Sequence, residues 1–172
     1  CGAKLSLKVA RIGLLHQKRW LQMYRSILFV CLGNICRSPT AEGIVRQLSS
    51  HKGLPLRLDS AGTGDWHIGE PPYGPMQRAA RQRGYDLSDL RARQITPQDF
   101  LDFDLILAMD ESNLQNIEAM RPSGVGTPVR LMLDFHDDPT IREVPDPYCT
   151  LEFDKVVDLL EEAGENLLTS LH

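Results

Sequence analysis

The architecture of this chain follows from Ile27-Leu28-Phe29-Val30-Cys31-Leu32-Gly33-Asn34-Ile35-Cys36-Arg37-Ser38-Pro39. Its first four residues are apolar, as in a strand that is buried on both faces. Ser38-Pro39 is typical of a helix start, because serine caps a helix and proline suits the first helical position. Glu42 is expected in the first turn of that helix, where a carboxylate suits the dipole. The apolar positions that follow have helical spacing: Ala41, Ile44, Val45 and Leu48. The sequence therefore predicts a strand, a short loop and an amphipathic helix.

The loop between Cys31 and Ser38 has the features of an oxyanion site. Its backbone N–H groups have no partners in a sheet, and the positive end of a helix dipole lies behind them. Gly33 and Asn34 tolerate the positive φ that a tight loop requires. Arg37 adds a planar guanidinium that can bind two phosphate oxygens at once. The loop therefore predicts a phosphate-binding site.

Cys31, six residues before Arg37, is a candidate nucleophile. The helix N-terminus and the guanidinium both favour its thiolate form, and Ser38 can donate its hydroxyl to the sulfur in addition to capping the helix. A thiolate beneath a bound phosphate group can attack phosphorus. The alternative is a buried structural cysteine and a surface arginine, which the predicted strand, loop and helix disfavour.

Length and composition predict one compact domain without a membrane span. The chain has 172 residues, 42% of them hydrophobic, and no run of 18 or more apolar residues. A reactive thiol without a secretory signal favours a reducing, cytoplasmic compartment. Zinc is disfavoured, because Cys31 and Cys36 are too far apart for the usual pair of ligands. We expect no metal, no cofactor and, from the acidic core, no nucleic-acid partner.

The basic N-terminal segment, residues 1–25, differs from the rest. It holds six of the 19 Lys and Arg residues and no Asp or Glu, so 13 basic residues face 23 acidic ones elsewhere. An acid-free, mildly amphipathic segment is similar to a transit peptide to a plastid or another organelle, but the single serine, Ser6, argues against one. The alternative is that translation starts at Met23. We therefore predict a basic extension at 1–25, either disordered or targeting, and one domain over residues 26–172.

Later segments alternate between strand and helix patterns. Apolar runs predict strands at 54–60, 103–109 and 129–133, and helical spacing predicts helices at 73–83, from an Asp110 cap to about 120, and at 151–171. Such alternation is typical of an α/β fold, here a three-layer, doubly wound, four-stranded parallel sheet flanked by helices. Ligands of such folds bind beyond the carboxyl ends of the strands, where Cys31 lies.

The motifs together resemble the low-molecular-weight protein tyrosine phosphatases. Residues 31–39, C-L-G-N-I-C-R-S-P, resemble the phosphate-binding loop of that family. Further matches follow in family order at 59–63, 66–72, 92–96, 103–110 and 144–148, so the resemblance covers about residues 26 to 170. It implies hydrolysis of phosphotyrosine in proteins, and of small aryl phosphates, through a phosphocysteine intermediate and without a cofactor.

A proton donor is needed to displace an aryloxide from phosphorus. The loop candidates are Asp134, Asp137, Asp138 and Asp146. Asp146 is preferred because prolines on both sides restrict its backbone, and it matches the general acid of the family's Asp-Pro-Tyr motif. The resemblance implies that Cys31 attacks phosphorus while Arg37 and the loop amides hold its oxygens. Asp146 then acts first as the acid and next as the base for hydrolytic water.

The substrate-binding residues are expected in the loop and in two aromatic walls. Trp66 and Tyr148 resemble the family's cleft walls, which would enclose a phenyl ring. Asn34 is expected mainly to fix loop geometry, and Arg93 and Asp110 are assigned to structure. Cys36 is a candidate redox partner that captures oxidised Cys31 as a disulfide. The loop residues expected around the phosphate are Leu32, Gly33, Asn34, Ile35, Cys36 and Ser38.

Two residues depart from the family pattern. Cys149 stands where a second tyrosine is common, and Leu90 stands where many members carry a histidine, so a histidine-based support of the loop is not expected. Arsenate reduction on this fold is disfavoured, because Cys149 is the only downstream cysteine. A protein-arginine phosphatase is disfavoured by Ile35, where those enzymes typically carry threonine. An inactive phosphotyrosine-binding relative would lack part of the set Cys31, Arg37 and Asp146.

The expected partners follow from this interpretation. They are phosphotyrosine-containing proteins, with inorganic phosphate or sulfate as small ligands of the loop. We expect a monomer or a weak dimer.

Overall fold

The structure is a computed structural model that describes residues 24–171. Of the predicted extension at 1–25, only Tyr24 and Arg25 fall within that range. The elements follow in the order β1 (Ser26–Cys31), α1 (Arg37–His51), β2 (Arg57–Gly62), α2 (Gly74–Gln82), α3 (Asp99–Asp102), β3 (Leu105–Ala108), α4 (Glu111–Ala119), β4 (Val129–Leu131), a 3₁₀-helix (Met132–Phe135), α5 (Pro147–Thr150) and α6 (Phe153–Ser170).

The four strands form one parallel sheet in the order β2-β1-β3-β4. β1 pairs with β2 along its whole length, from Ser26 opposite Arg57 to Cys31 opposite Gly62. On its other side β1 pairs with β3, and β3 pairs with β4. The predicted doubly wound sheet is confirmed. Because all strands run the same way, Cys31 lies at the edge where the loops after the strands meet.

Side chains of β1 alternate between two hydrophobic cores. Ile27 and Phe29 pack among apolar residues of α1, α2 and α6, whereas Leu28 and Val30 pack beneath α3 and α4. All four are fully buried, and burial of each contributes about 1.5–3 kcal/mol. The helices therefore cover both faces of the sheet, which makes the predicted three layers. None of the helices in residues 24–171 combines the length and hydropathy needed to cross a bilayer.

The predicted capping role of Ser38 is wrong. α1 begins one residue earlier, at Arg37, with Cys36 at the N-cap position and no capping side chain in the described residues. Pro39 is therefore the third helical residue and not the first. The Ser38 hydroxyl lies instead 3.0 Å from the Cys31 sulfur and 3.2 Å from the Ala61 carbonyl oxygen.

Three further predictions about elements are corrected. Glu42 is not in the first turn of α1 but is buried later in the helix. β2 begins at Arg57 and not at Leu54, because the Leu54 N–H donates to the Ser49 carbonyl at the end of α1. β4 ends at Leu131 and turns into the 3₁₀-helix. The short helices α3 and α5 have four residues each, too few to show the helical spacing of apolar residues, so the sequence does not predict them.

Candidate active site

The loop from Cys31 to Arg37 curls around the sulfur of Cys31. Asn34 adopts a φ of 55°, as expected, whereas Gly33 is not in the left-handed region. The Asn34 N–H donates to the Cys31 sulfur at 3.3 Å. Gly62, at the end of β2, allows the loop to approach, because a Cβ there would lie 2.7 Å from the Leu32 carbonyl oxygen. The loop therefore holds the Asn34 amide against the buried thiol.

The guanidinium of Arg37 is buried and held by groups that lie far away in sequence. Nη1 donates to Asp110 at 2.6 Å and to the Val144 carbonyl at 3.3 Å, and Nη2 donates to Asp146 at 3.1 Å. Burial acts to lower the pKa of Arg37, but the negative charges of Cys31, Asp110 and Asp146 outweigh it and the pKa is raised. The arginine therefore stays charged beside the thiol.

Asp110, for which the sequence predicts a structural role, lies directly against Arg37. Its Oδ1 accepts the Asn113 N–H and caps α4, as predicted, while its Oδ2 accepts from Arg37. One carboxylate thus joins a helix cap to the site. The signal available in the sequence was its position directly after a buried strand, at the edge where ligands bind.

Asp146 is placed over the loop by α5. Its Oδ1 accepts the Tyr148 N–H at the N-terminus of that helix, and its Oδ2 faces Arg37. The other acidic candidates make contacts away from the cleft: Asp134 with Arg130, Asp137 with Asn166, and Asp138 with Thr140. Of the four loop carboxylates, Asp146 alone lines the cleft.

The cleft is a cavity of about 240 Å³ lined by Cys31, Leu32, Gly33, Ile35, Cys36, Arg37, Trp66, His67, Asp146, Tyr148 and Cys149. His67 and Cys149 were not among the predicted site residues. His67 directly follows Trp66, and its Nδ1 lies 2.7 Å from the Glu70 carboxylate. The side chains of Asn34 and Ser38 lie beneath the loop and outside this cavity. The structure thus brings together the predicted nucleophile, guanidinium and acid.

The two aromatic walls are both largely exposed. Trp66 is 67% exposed and packs across Gly64, where a Cβ would overlap its ring. Tyr148 is supported from behind by Tyr73, with ring centroids 5.2 Å apart. Exposed rings at the mouth of a cavity leave their faces free for a ligand.

Cys36 is a buried neighbour of the nucleophile. Burial raises its pKa to about 12, with contributions from Cys31 and Asp146, so it is a neutral thiol at physiological pH. Cys31, Cys36 and Cys149 are all free thiols. Among the residues that the structure describes, no group of three or more His, Cys, Asp or Glu could hold a metal ion.

The chain is similar in sequence and in structure to known proteins. Residues 26–172 match the sequence model of the low molecular weight phosphotyrosine protein phosphatases. The chain belongs to this family. The Bacillus subtilis low molecular weight protein-tyrosine-phosphatase YfkJ is 44% identical over 148 residues, which cover 85% of this chain and 95% of YfkJ. The crystal structure of YfkJ superposes with a TM-score of 0.81, at 43% identity over 86% of this chain and 94% of that one.

Two other solved structures that are similar to this chain bear on the substrate. The tyrosine phosphatase Wzb from Escherichia coli K30, solved in complex with sulphate, has a TM-score of 0.76 and 32% identity over 87% of this chain and all of its own. The Drosophila arginine phosphatase DARP has a TM-score of 0.77 and 34% identity over 83% of this chain and 95% of its own. Solved structures similar to this chain are therefore named for two kinds of phosphatase, tyrosine and arginine.

Proposed function

We propose that this protein hydrolyses phosphotyrosine in proteins, and small aryl phosphates, through a phosphocysteine intermediate on Cys31. The observation that carries the proposal is that Cys31, Arg37 and Asp146 line one small cleft, although Asp146 comes from a distant part of the chain. Protein-tyrosine-phosphatase is also the activity named for YfkJ. The sulphate of the Wzb structure supports an oxyanion as the ligand of the loop.

In the first step the phosphate group lies in the loop and the Cys31 thiolate attacks phosphorus. The loop amides and the free N–H groups of Arg37 bind the non-bridging oxygens, while Asp110 keeps the guanidinium in place. A sulfur–phosphorus bond forms and the bond to the tyrosyl oxygen breaks. Asp146, in its acid form, gives its proton to that oxygen, so the phenol leaves neutral.

In the second step water hydrolyses the phosphocysteine. The Asp146 carboxylate takes a proton from water as its oxygen bonds to phosphorus, and the sulfur–phosphorus bond breaks. Cys31 leaves as a thiolate, which the Asn34 N–H at 3.3 Å and the nearby Ser38 hydroxyl stabilise. Inorganic phosphate is then released, and no metal or cofactor takes part in either step.

The walls of the cleft favour an aryl ester. Trp66 and Tyr148 enclose a ring, and Leu32 and Ile35 add apolar surface at the loop. Cys31 is buried beneath these side chains, so a long phosphotyrosyl side chain reaches the sulfur better than a phosphoseryl one. Ile35 in place of threonine disfavours phosphoarginine, the substrate class for which DARP is named.

The test compares phosphotyrosine peptide, phosphoarginine peptide and arsenate on the same preparation. We expect hydrolysis of phosphotyrosine, abolished by Cys31→Ser, with little turnover of the other two. The matched control is Cys149→Ser, which removes the exposed thiol at the cleft and should leave most activity. Full activity in Cys31→Ser, or preference for phosphoarginine, would overturn the proposal. Trapping with Asp146→Ala in a cell extract would then identify protein substrates.

The cellular context is also a proposal. A catalytic thiolate requires a reducing compartment, which supports the cytoplasm, and the basic segment 1–25 supports import into a plastid or another organelle. We assign catalysis to residues 26–172, acting as a monomer or weak dimer. Fusion of residues 1–25 to a fluorescent protein tests the targeting role, and diffuse fluorescence would contradict it.

A further inference from the structure

Leu151 is a strained and exposed residue beside the cleft. It ends α5 with a φ of 61°, in the left-handed region that favours glycine or asparagine. Asn34 is the other non-glycine residue with a positive φ within residues 24–171, and its conformation belongs to the phosphate-binding loop. A leucine is unfavourable in this conformation, so its presence calls for an account of its side chain.

The side chain of Leu151 does not serve the packing of the domain. It is 70% exposed and belongs to neither hydrophobic core. The Leu151 N–H donates to the Pro147 carbonyl at 2.9 Å, a bond that glycine would make equally well. What leucine adds over glycine at this position is therefore an apolar surface in contact with water.

Leu151 lies next to one wall of the cleft. Tyr148 and Cys149 line the cavity, and Leu151 ends the short helix that carries both. Tyr148 and Leu151 are three positions apart, about one helical turn, so they lie close together at the mouth. Near the other wall, Ile68 directly follows the cleft residue His67 and is 59% exposed. The apolar surface of the cleft thus continues beyond the cavity.

Exposed apolar side chains are concentrated around this mouth. Among the residues that the structure describes, seven large apolar side chains are exposed, and Leu101 and Ile141 lie away from the cleft residues in sequence. The other five line the cavity or lie within two positions of a residue that does: Leu32, Trp66, Ile68, Tyr148 and Leu151. Such grouping marks a surface that binds a partner.

The charges nearby favour an apolar occupant. Glu70 contacts His67 at 2.7 Å and Glu152 pairs with Lys155 at 3.2 Å, so these groups already have partners within the protein. Asp65, in the segment before His67, is exposed and negative, so it repels acidic side chains. The mouth of the cleft therefore suits apolar residues better than acidic ones.

We propose that Leu151 contacts a large apolar side chain next to the phosphotyrosine of the protein substrate. The inference rests on the proposed function and names the class of peptide that the cleft prefers. With the phosphate group over the buried Cys31 sulfur, the aryl ring occupies the cleft and the flanking residues of the peptide lie across its mouth. Leu151 then buries apolar surface against one of them, which stabilises the complex.

The test uses phosphotyrosine peptides with serine at all flanking positions, or with one leucine at one of the two positions on either side. For at least one leucine peptide, we expect the full-length wild-type protein to show a kcat/KM about three- to tenfold above that for the all-serine peptide. Partial burial of a leucine side chain accounts for a factor of this size.

The decisive variant is Leu151→Gly, which removes the side chain and suits the left-handed backbone. The preference for leucine should fall to a ratio of about one. The thermal midpoint should hardly move, because relief of the backbone offsets the added freedom of the unfolded chain. Leu151→Asn, which also tolerates this backbone, should lose the preference as well and serves if the glycine variant fails to fold. The matched control is Leu101→Ala, at a side chain 63% exposed on α3, which should keep the wild-type ratio.

Three results would overturn the inference. They are a wild-type protein without leucine preference at any of the four positions, a preference that survives in Leu151→Gly, and an equal loss in Leu101→Ala. Sedimentation provides a further check: if Leu151→Gly abolishes self-association but keeps the peptide preference, the surface binds a second copy of this chain instead. Activity that survives Cys31→Ser would contradict the proposed function, whereas phenyl phosphate turnover by Cys31 without leucine preference would contradict this inference alone.

Discussion

The Asp110 carboxylate lies 2.6 Å from the Arg37 guanidinium and joins the turn after β3 to the start of α1. The two residues are 73 positions apart in the chain. Because the other Asp110 oxygen caps α4, the carboxylate is itself held firmly. Arg37 is therefore oriented before a phosphate group arrives, and such preorganisation costs nothing at the moment of reaction.

Replacing Asp110 by Asn should weaken this orientation. We expect kcat for phosphotyrosine to fall about tenfold to a hundredfold, the worth of a hydrogen bond to a charged group, and inorganic phosphate to inhibit less well. Steady-state kinetics and phosphate inhibition measure both. Asp134→Asn is the matched control, since Asp134 pairs with Arg130 away from the cleft. Equal effects of the two variants would show that Asp110 does not position Arg37.

Replacing Asp146 by Ala should remove the proton donor. We expect kcat to fall about a hundredfold or more for a phenyl phosphate, and much less for nitrophenyl phosphate, whose leaving group needs little protonation. Asp138→Ala serves as control, because its carboxylate contacts Thr140 at the surface. An equal loss for both esters would contradict the assignment of Asp146 as the general acid.

Oxidation should convert the Cys31–Cys36 pair into a disulfide. Peroxide takes the Cys31 thiolate to a sulfenic acid and is reduced to water; the Cys36 thiol then displaces water and forms the sulfur–sulfur bond. With its pKa raised to about 12, Cys36 stays a neutral thiol and is a poor first target for peroxide. Activity should return with a dithiol reductant.

Two variants check this redox prediction by peptide mass mapping. Cys36→Ser should lose recovery after peroxide, with Cys31 found as sulfinic or sulfonic acid. Cys149→Ser should recover like wild type, because Cys149 is exposed at the cleft mouth and outside the loop. A crosslink between Cys31 and Cys149 in the wild-type protein would contradict the prediction, because Cys149 and not Cys36 would then be the cysteine that captures oxidised Cys31.

Replacing Trp66 by Ala should reduce discrimination between aryl and alkyl esters. We expect kcat/KM for a phosphotyrosine peptide to fall about three- to tenfold, the worth of one aromatic contact, and that for an alkyl phosphate to stay unchanged. The thermal midpoint should hardly move, because Trp66 is 67% exposed. Leu101→Ala, 63% exposed on α3 and outside the cleft, controls for loss of apolar surface. A parallel loss for both esters would argue against stacking on the substrate ring.

Much of the site could be predicted because it is local in the chain. Three consecutive segments form it: a strand that ends at Cys31, a loop with a positive φ at Asn34, and a helix that starts at Arg37. Hydrophobic period and turn-forming residues report local conformation directly. The order of strands and helices likewise restricts the fold to a parallel sheet covered on both faces.

The contacts that complete the site depend on packing between distant segments. Asp110 and Asp146 reach Arg37 only because β3 lies beside β1 and α5 folds back over the same edge. Glu42, expected at a helix terminus, is buried because α1 packs against β2 and meets Ser60 there. The periodicity of a chain indicates which side chains are buried, but not which groups from other strands they meet. Strand order and register are set by the best simultaneous burial of all the apolar faces, a property of the whole fold.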